Sequence, residues 1–397
     1  MVVILARSLG PEEFGIYSYA LSIMTVLAIP AQVGLPQLLI RETSRLNAVL
    51  NWSLLKGLWK TATIIVILLS TLIAVATFIF MVYVDVKYKD VILLSVLVSP
   101  FIALGNLRGA ALQGLNHVLM GQIPESIIRP FLIVLLSAML WFVLPGEVNA
   151  QNAMLVYGLS AVLTFIYGGV LLNRLKPKEL KFNGINYRVK FWLSSAAPLA
   201  LVASTQLIIS QTDIIMLTNY ASAEETGTYK VISSLCTLVI FAFMSIQTVV
   251  SPRIAKLYME GNKLELQKLL TLAARINSIL GLFIVLLLIF FGDWLLISLF
   301  GESFSNGYSA LIVLALGRLV NASLGLSVPL LNMSGNERLT LQVMFFAAFL
   351  NLTLNYFLIP EFGIDGAVYG TVITMVTWNV WLWLLVKMKM KLNTSFY

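Results

Sequence analysis

Apolar residues run in long blocks along this chain, and polar residues gather in short clusters between them. A hydrocarbon core about 30 Å thick needs roughly 20 apolar residues per helix, and blocks of that length recur throughout. The runs and their punctuation predict spans at 17–40, 58–84, 91–115, 123–144 and 152–172. A second group is predicted at 191–217, 229–250, 274–300, 308–332, 340–360 and 366–388. These are eleven complete helices. The short apolar stretch 1–6 reads as the outer end of a further, truncated helix whose body lies outside the given sequence, with "GPEE" forming the first external loop. Backbone polar groups in lipid must be bonded internally, and the segments are too long for barrel strands. The expected fold class is therefore an all-α polytopic membrane protein.

Composition strengthens this picture. Apolar residues make up 59% of the 397 and charged residues 11%, with a mean hydropathy of +0.92, against roughly 25% charged in a soluble domain. The net charge of +8 would suit nucleic acid, but the basic residues sit in short segments between spans and not on a folded basic face. Membrane orientation accounts for them, and no nucleic-acid partner is expected. The single Cys236 permits no intramolecular disulfide, and His117 cannot build a metal site by itself.

Charge alternates along the interspan segments. Arg41, Arg45, Lys56 and Lys60 lie in one, the basic run 174–190 in another, Arg253, Lys256, Lys263, Lys268 and Arg275 in a third, and Lys387, Lys389 and Lys391 close the chain. The positive-inside rule places these in the cytoplasm. The intervening segments carry Glu12 and Glu13, Asp85 and Asp90, Glu147, Glu224 and Glu225, Asp293 and Glu302, and Glu361 and Asp365, and are expected outside.

The stretch "RLKPKELKFNGINYRVK" at 174–190 is the longest polar interruption and reads as a cytoplasmic linker between bundles 1–173 and 191–397. At an offset of 212 residues, Glu12, Glu13, Gly15 and Tyr17 fall on Glu224, Glu225, Gly227 and Tyr229, Arg41 falls on Arg253, and "VYG" at 156–158 falls on "VYG" at 368–370. Such repetition is common in transporters. Here it predicts two six-helix bundles in one orientation, a parallel repeat.

Ionisable residues inside spans are costly and usually face a cavity or a partner. The set is Arg108, Glu125, Arg129, Asp213 and Arg318, with Arg41, Arg253 and Arg275 near span ends. Arginine dominates it, and guanidinium binds phosphate bidentately, so an anionic, phosphorylated substrate is favoured over a cation. Arg41 and Arg253 read equally as topology anchors or as cleft-lining contacts. Arg129 follows Glu125 at helical i,i+4 spacing, which predicts an ion pair. Arg108 and Arg318 have no nearby carboxylate in sequence. Asp213 and Glu125 are candidates for ion coupling, although Asp213 also suits an interfacial cap at a pore mouth. Gln32, Gln206, Gln211, Gln247, Asn321, Asn332, Asn351 and Asn355 could hydrogen-bond sugar hydroxyls or neighbouring helices. Pro30, Pro36, Pro198 and Pro329 could kink their spans. No catalytic constellation or ATP-binding loop is present, so the chain reads as a non-enzyme without cofactor, driven by an ion gradient (H+ or Na+) or a substrate gradient.

The pattern "ARSLGPEEFGIYSYA", followed by "GLPQLLIRETSR", resembles the start of the Wzx-type polysaccharide-unit (O-antigen) flippases of the multidrug/oligosaccharidyl-lipid/polysaccharide exporter superfamily. "QTDIIMLTNYASAEETGTYKVISSL", "PRIAKLY" and "LNYFLIPEFGIDGAVYGTVIT" resemble later stretches of the same family. The resemblance implies a multi-pass protein of the prokaryotic cytoplasmic membrane. It implies alternating-access translocation of a polyprenyl-diphosphate-linked oligosaccharide for O-antigen, lipopolysaccharide, capsule or exopolysaccharide synthesis. It also implies a positively charged cavity, for which Arg41, Arg253, Arg108 and Arg318 are the candidates, and lipid, glycolipid and polysaccharide polymerase or export machinery as partners. The alternative in the same fold is an ion-coupled multidrug or metabolite antiporter. A membrane glycosyltransferase would need a large external loop, which the chain lacks, and a non-transporting scaffold is the blander reading.

Overall fold

The computed structural model describes residues 1–143, 148–181, 183–324 and 326–395, so Glu147 lies outside the described residues, as do the side chains of Pro198 and Gln206. Among the described residues there is no strand, and nine helical stretches are long and apolar enough to cross a membrane. The chain forms two compact units, one holding Val3–Leu9 and Ile16–Gln211, the other holding Gly10–Gly15 and Thr212–Tyr397. The linker 174–190 lies wholly in the first.

In chain order the helices are α1 (Val2–Gln32), α2 (Leu35–Ala48), α3 (Trp52–Tyr83), α4 (Lys89–Gly114), α5 (Val118–Ile123), α6 (Arg129–Val143), α7 (Ala150–Leu175), α8 (Val189–Tyr220), α9 (Ala223–Met259), α10 (Lys263–Leu295), α11 (Tyr308–Leu324), α12 (Ser327–Met333) and α13 (Glu337–Met390). A π-helical turn, Pro124–Ile128, joins α5 to α6.

The first unit packs around α4, which lies against α2, α3, α5 and α7. Its small residues make this possible: Gly109 faces the Gly121 backbone and Gly114 faces Ile40 and Thr43. Close backbone approach through small residues is the usual way helices associate in lipid, where apolar burial gives little drive. Leu35, Leu38, Leu39, Leu55, Leu58 and Trp192 fill the core, while Leu68, Leu72, Phe78 and Phe80 on α3 face outward, as a lipid-facing surface requires. The linker is clamped to α3: Lys56 Nζ donates to the Asn183 carbonyl (3.1 Å) and the Asn186 amide donates to the Ser53 carbonyl (3.1 Å).

In the second unit α11 packs against α9, α10 and α13, and α12 against α9 and α13. Its core includes Ile254, Leu266, Leu270, Leu330, Leu382 and Val386. The C-terminal segment returns to it, with Gln267 and Asn393 exchanging hydrogen bonds of 2.8 and 2.7 Å.

Two glycines break helices at the positions where the hydropathy pattern separates its predicted segments, but as kinks within continuous helices and not as loops. Gly363 (φ 55°, ψ −127°) breaks α13, and Gly10 (φ 73°, ψ 174°) breaks α1. Both values lie where L side chains are strained. The "GPEE" stretch at 10–13, expected as a loop, thus belongs to a kinked helix, with Pro11 restarting it at a position that needs no amide hydrogen bond. The expected span 17–40 is likewise two helices, parted by Val33 and Gly34 in left-handed conformations.

At the α13 kink the Ile364 amide donates to Glu225 Oε2 at 2.5 Å. Glu225→Ala removes this acceptor from that part-buried amide. It is expected to cost about 1–3 kcal/mol, read as a lower thermal midpoint of the purified protein in detergent, with Glu225→Gln, whose amide oxygen can still accept, recovering most of the loss.

Candidate functional site

Two polar clusters stand out against the apolar interior, one in each unit. The first lines a cavity of about 410 Å³ between α1, α2, α4 and the α5–π turn. The π turn arises where Pro124 removes an amide donor, and it carries Glu125 to the cavity wall, where Gly105 leaves room for the carboxylate. Arg129, one helical turn on, forms the ion pair with Glu125, and its guanidinium lies 5.9 Å from the Tyr157 ring. Tyr157 in turn meets Tyr17 edge to face at 6.3 Å. Glu125 is therefore paired and not a lone titrating group. The other polar walls are uncharged: Gln32, Gln37, Asn106, Gln113 and Gln122, with Asn106 donating to Gln32 at 3.4 Å.

The second cluster centres on Asp213. Sequence allows an interfacial cap at this position, but the residue is only 5% exposed. Its Oδ2 accepts from the Tyr229 hydroxyl (2.5 Å) and Thr371 Oγ1 (2.7 Å). Its Oδ1 accepts from Asn355 Nδ2 (2.6 Å) and, at 3.4 Å, from Asn351 Nδ2. Three helices converge here: α8 supplies the carboxylate, α9 the phenol, and α13 the amides and hydroxyl. Gly370 approaches the Asn355 side-chain oxygen Oδ1, where a Cβ would collide. That oxygen is buried without a hydrogen-bond partner. A buried carboxylate must be held by donors or a cation, and this one is held by four neutral groups.

The donor set discriminates between ions. Among the described residues there is no group of three or more His, Cys, Asp or Glu side chains that could hold a metal. One carboxylate, two amide oxygens after rotation, and a hydroxyl make an all-oxygen set of single negative charge, which fits a proton or a hard monovalent cation.

The arginines are distributed between the units. Arg41 is 53% exposed on α2, its Nε 3.3 Å from Glu42. Arg108 is half-buried on α4, donates to the Phe165 carbonyl and stacks on the Phe165 ring at 3.5 Å. Arg253 is exposed on α9. Arg318, on α11, has a buried Nε with no acceptor among the described residues, and it lies near enough to Tyr229 for its charge to act there.

Sequence reading overlooked Glu42, which is buried and sits 2.6 Å from Arg45 while also touching Arg41. It also overlooked Tyr229 and Thr371 as partners of Asp213. The i,i+4 spacing of Asn351 and Asn355 puts both on one face and was the available signal for that site.

Comparison with known proteins places these features in a family. Residues 1–258 match the polysaccharide biosynthesis protein family and residues 198–357 match the MatE family. An uncharacterized membrane protein, MJ1068, of Methanocaldococcus jannaschii is 22% identical over 97% of this chain and 80% of its own length. The capsular polysaccharide biosynthesis protein CapF of Staphylococcus aureus is 24% identical over 59% of each chain. Among solved structures, an inward-facing multidrug-resistance MATE transporter superposes with a TM-score of 0.79 at 14% identity, over 98% of this chain and 94% of its own. The lipid II flippase MurJ, inward closed, gives 0.73 at 14% identity, over 97% and 86%.

Proposed function

The chain belongs to the polysaccharide biosynthesis protein family, and on that premise we propose that it is a flippase moving a polyprenyl-diphosphate-linked oligosaccharide across the cytoplasmic membrane of a prokaryote for surface polysaccharide synthesis. The observation that carries this reading is the family match across residues 1–258. The first unit's cavity supports it, because its single carboxylate is already neutralised by Arg129. A cation exporter would be expected to offer free carboxylates there. The MATE likeness keeps a multidrug antiporter as the competing reading.

In this proposal Asp213 is the ion-coupling group, binding H+ or Na+ through the oxygen set around it. The candidates for diphosphate contacts are Arg41 in the first unit, exposed but with its Nε against Glu42, and, in the second, the exposed Arg253 and Arg318, whose Nε has no acceptor among the described residues. Arg108 is the weakest of the four candidates because Phe165 already holds it. The lipid bilayer and the glycolipid are the immediate partners, with polymerase and export machinery downstream.

The test is reconstitution of the purified protein in liposomes with a fluorescent polyprenyl-diphosphate oligosaccharide. Gradient-stimulated movement between leaflets is expected, with Arg41→Ala and Arg253→Ala each slowing it by about tenfold, as loss of one charge-assisted contact of ~1.4 kcal/mol requires. Efflux of a lipophilic cationic dye with no glycolipid movement would instead establish the antiporter. Unchanged transport in stable Arg41→Ala, Arg253→Ala and Arg318→Ala proteins would remove the diphosphate assignment.

A further inference from the structure

The arginines were the sequence's candidates for substrate contacts, yet the cavity in the first unit contains no arginine or lysine. Its volume of about 410 Å³ falls within the roughly 300–1,000 Å³ of small-molecule sites. A diphosphate would find no counter-charge in it. A cation would find only Glu125, already bound to Arg129. What the walls offer is amide chemistry.

Among the described residues, the side-chain amides of Gln37, Gln113 and Gln122 have no partner within the protein. Each amide has two donors and two acceptor sites. Ser99 and Thr25, also in the wall, give their protons to the backbone of their own helices, at 2.8 Å each, and retain lone pairs that can accept. A surface that both donates and accepts, without net charge, matches a group whose every polar atom does the same. Sugar hydroxyls do this, as does an N-acetyl amide. The remaining wall, including Met24, Ala28, Ile40 and Ile102, offers apolar surface to the C–H face of a ring.

We propose that this cavity is a saccharide subsite that takes a neutral pyranose portion of the transported unit, with Gln37, Gln113 and Gln122 reading its hydroxyl or N-acetyl groups. The inference rests on the flippase reading and deepens it. Charge recognition and sugar recognition are then carried by different residues, so sugar selectivity can change without altering the contacts to the diphosphate.

The only cysteine, Cys236, is buried in the second unit, which allows a direct test on the full chain. On a Cys236→Ser background, Gln122→Cys places a reactive thiol in the wall, and Lys190→Cys in the exposed linker serves as a control. Labelling by a methanethiosulfonate reagent is timed in the presence of three probes. These are the neutral repeat-unit oligosaccharide released from the host's surface polysaccharide, a short-chain prenyl diphosphate without sugar, and a lipophilic cationic dye. The oligosaccharide is expected to slow labelling of Gln122→Cys fivefold or more, saturably, and to leave Lys190→Cys unaffected. Protection by the diphosphate or the dye but not by the oligosaccharide overturns the proposal, and so does protection by none of the three.

A transport measurement separates this inference from the reading beneath it. In liposomes, Gln37→Leu/Gln113→Leu/Gln122→Leu is expected to slow glycolipid movement tenfold or more while its gradient dependence persists. If wild type moves glycolipid and the folded triple variant does so at the same rate with the same sugar preference, the subsite is wrong and the flippase stands. If wild type moves none, the flippase reading itself fails.

Discussion

Asp213→Asn is expected to abolish gradient-driven transport, with a fall of about a hundredfold or more, in a protein that still folds. The carboxylate is buried and accepts four hydrogen bonds from Tyr229, Thr371, Asn351 and Asn355. Without its charge the surrounding oxygens have no means of attracting a cation. Losing a charge-assisted interaction of ~3 kcal/mol corresponds to about two decades in an equilibrium constant. The asparagine amide also turns two donors towards groups that already donate, which adds roughly 1–3 kcal/mol of destabilisation. The check is the rate of glycolipid movement in liposomes with and without an imposed Na+ or pH gradient, beside the thermal midpoint in detergent. Asn355→Leu, which removes a neutral partner and keeps the charge, is expected to fall between wild type and Asp213→Asn. A folded Asp213→Asn protein that still responds to either gradient would rule Asp213 out as the coupling group.

The second large effect is structural. Glycine inside a helix costs about 1 kcal/mol relative to alanine, so Gly227 near the start of α9 calls for a reason, and the packing supplies one. A Cβ at Gly227 would collide with the Pro11 carbonyl, and one at Gly15 would collide with the Ala223 carbonyl. Backbone touches backbone in both directions, and a carbonyl within a helix cannot swing aside. Gly227→Leu is expected to reach or exceed the top of the ~1–3 kcal/mol range for overpacking, at roughly 2–4 °C of thermal midpoint per kcal/mol for a unit of this size. Gly184, around which there is open space, is the control, and Gly184→Leu should leave the midpoint unchanged. Thermal unfolding followed by tryptophan fluorescence, with size-exclusion profiles, compares the two. Equal midpoints for Gly227→Leu and wild type would refute the close contact.

How far sequence could reach is visible residue by residue. The helical membrane class follows from apolar runs such as those in α3 and α10, because the bilayer leaves a backbone few alternatives. Kinks are harder to read, since hydropathy registers how apolar a segment is and not its dihedral angles. Gly10, Gly34 and Gly363 therefore redirect helices that the pattern leaves continuous or treats as loop. The Glu125–Arg129 pair was legible because i,i+4 neighbours meet within one helix. The surroundings of Asp213 were not, because Asn351, Asn355 and Thr371 reach it across 138, 142 and 158 residues of chain. Periodicity says which face of a helix is polar and gives no information about which other helix will be opposite. The arginine bias directed attention to charge, while the amides of the first cavity, ordinary in composition, became informative only when placed around a common space.

The Gly15–Gly227 crossing also bears on the order of synthesis. Gly10–Gly15 is made before α2 to α8 but belongs to the same unit as α9. During translation this segment stays without its backbone contact until α9 emerges and enters the membrane. Assembly of the second unit therefore depends on a piece of helix that has been waiting through the insertion of everything between them.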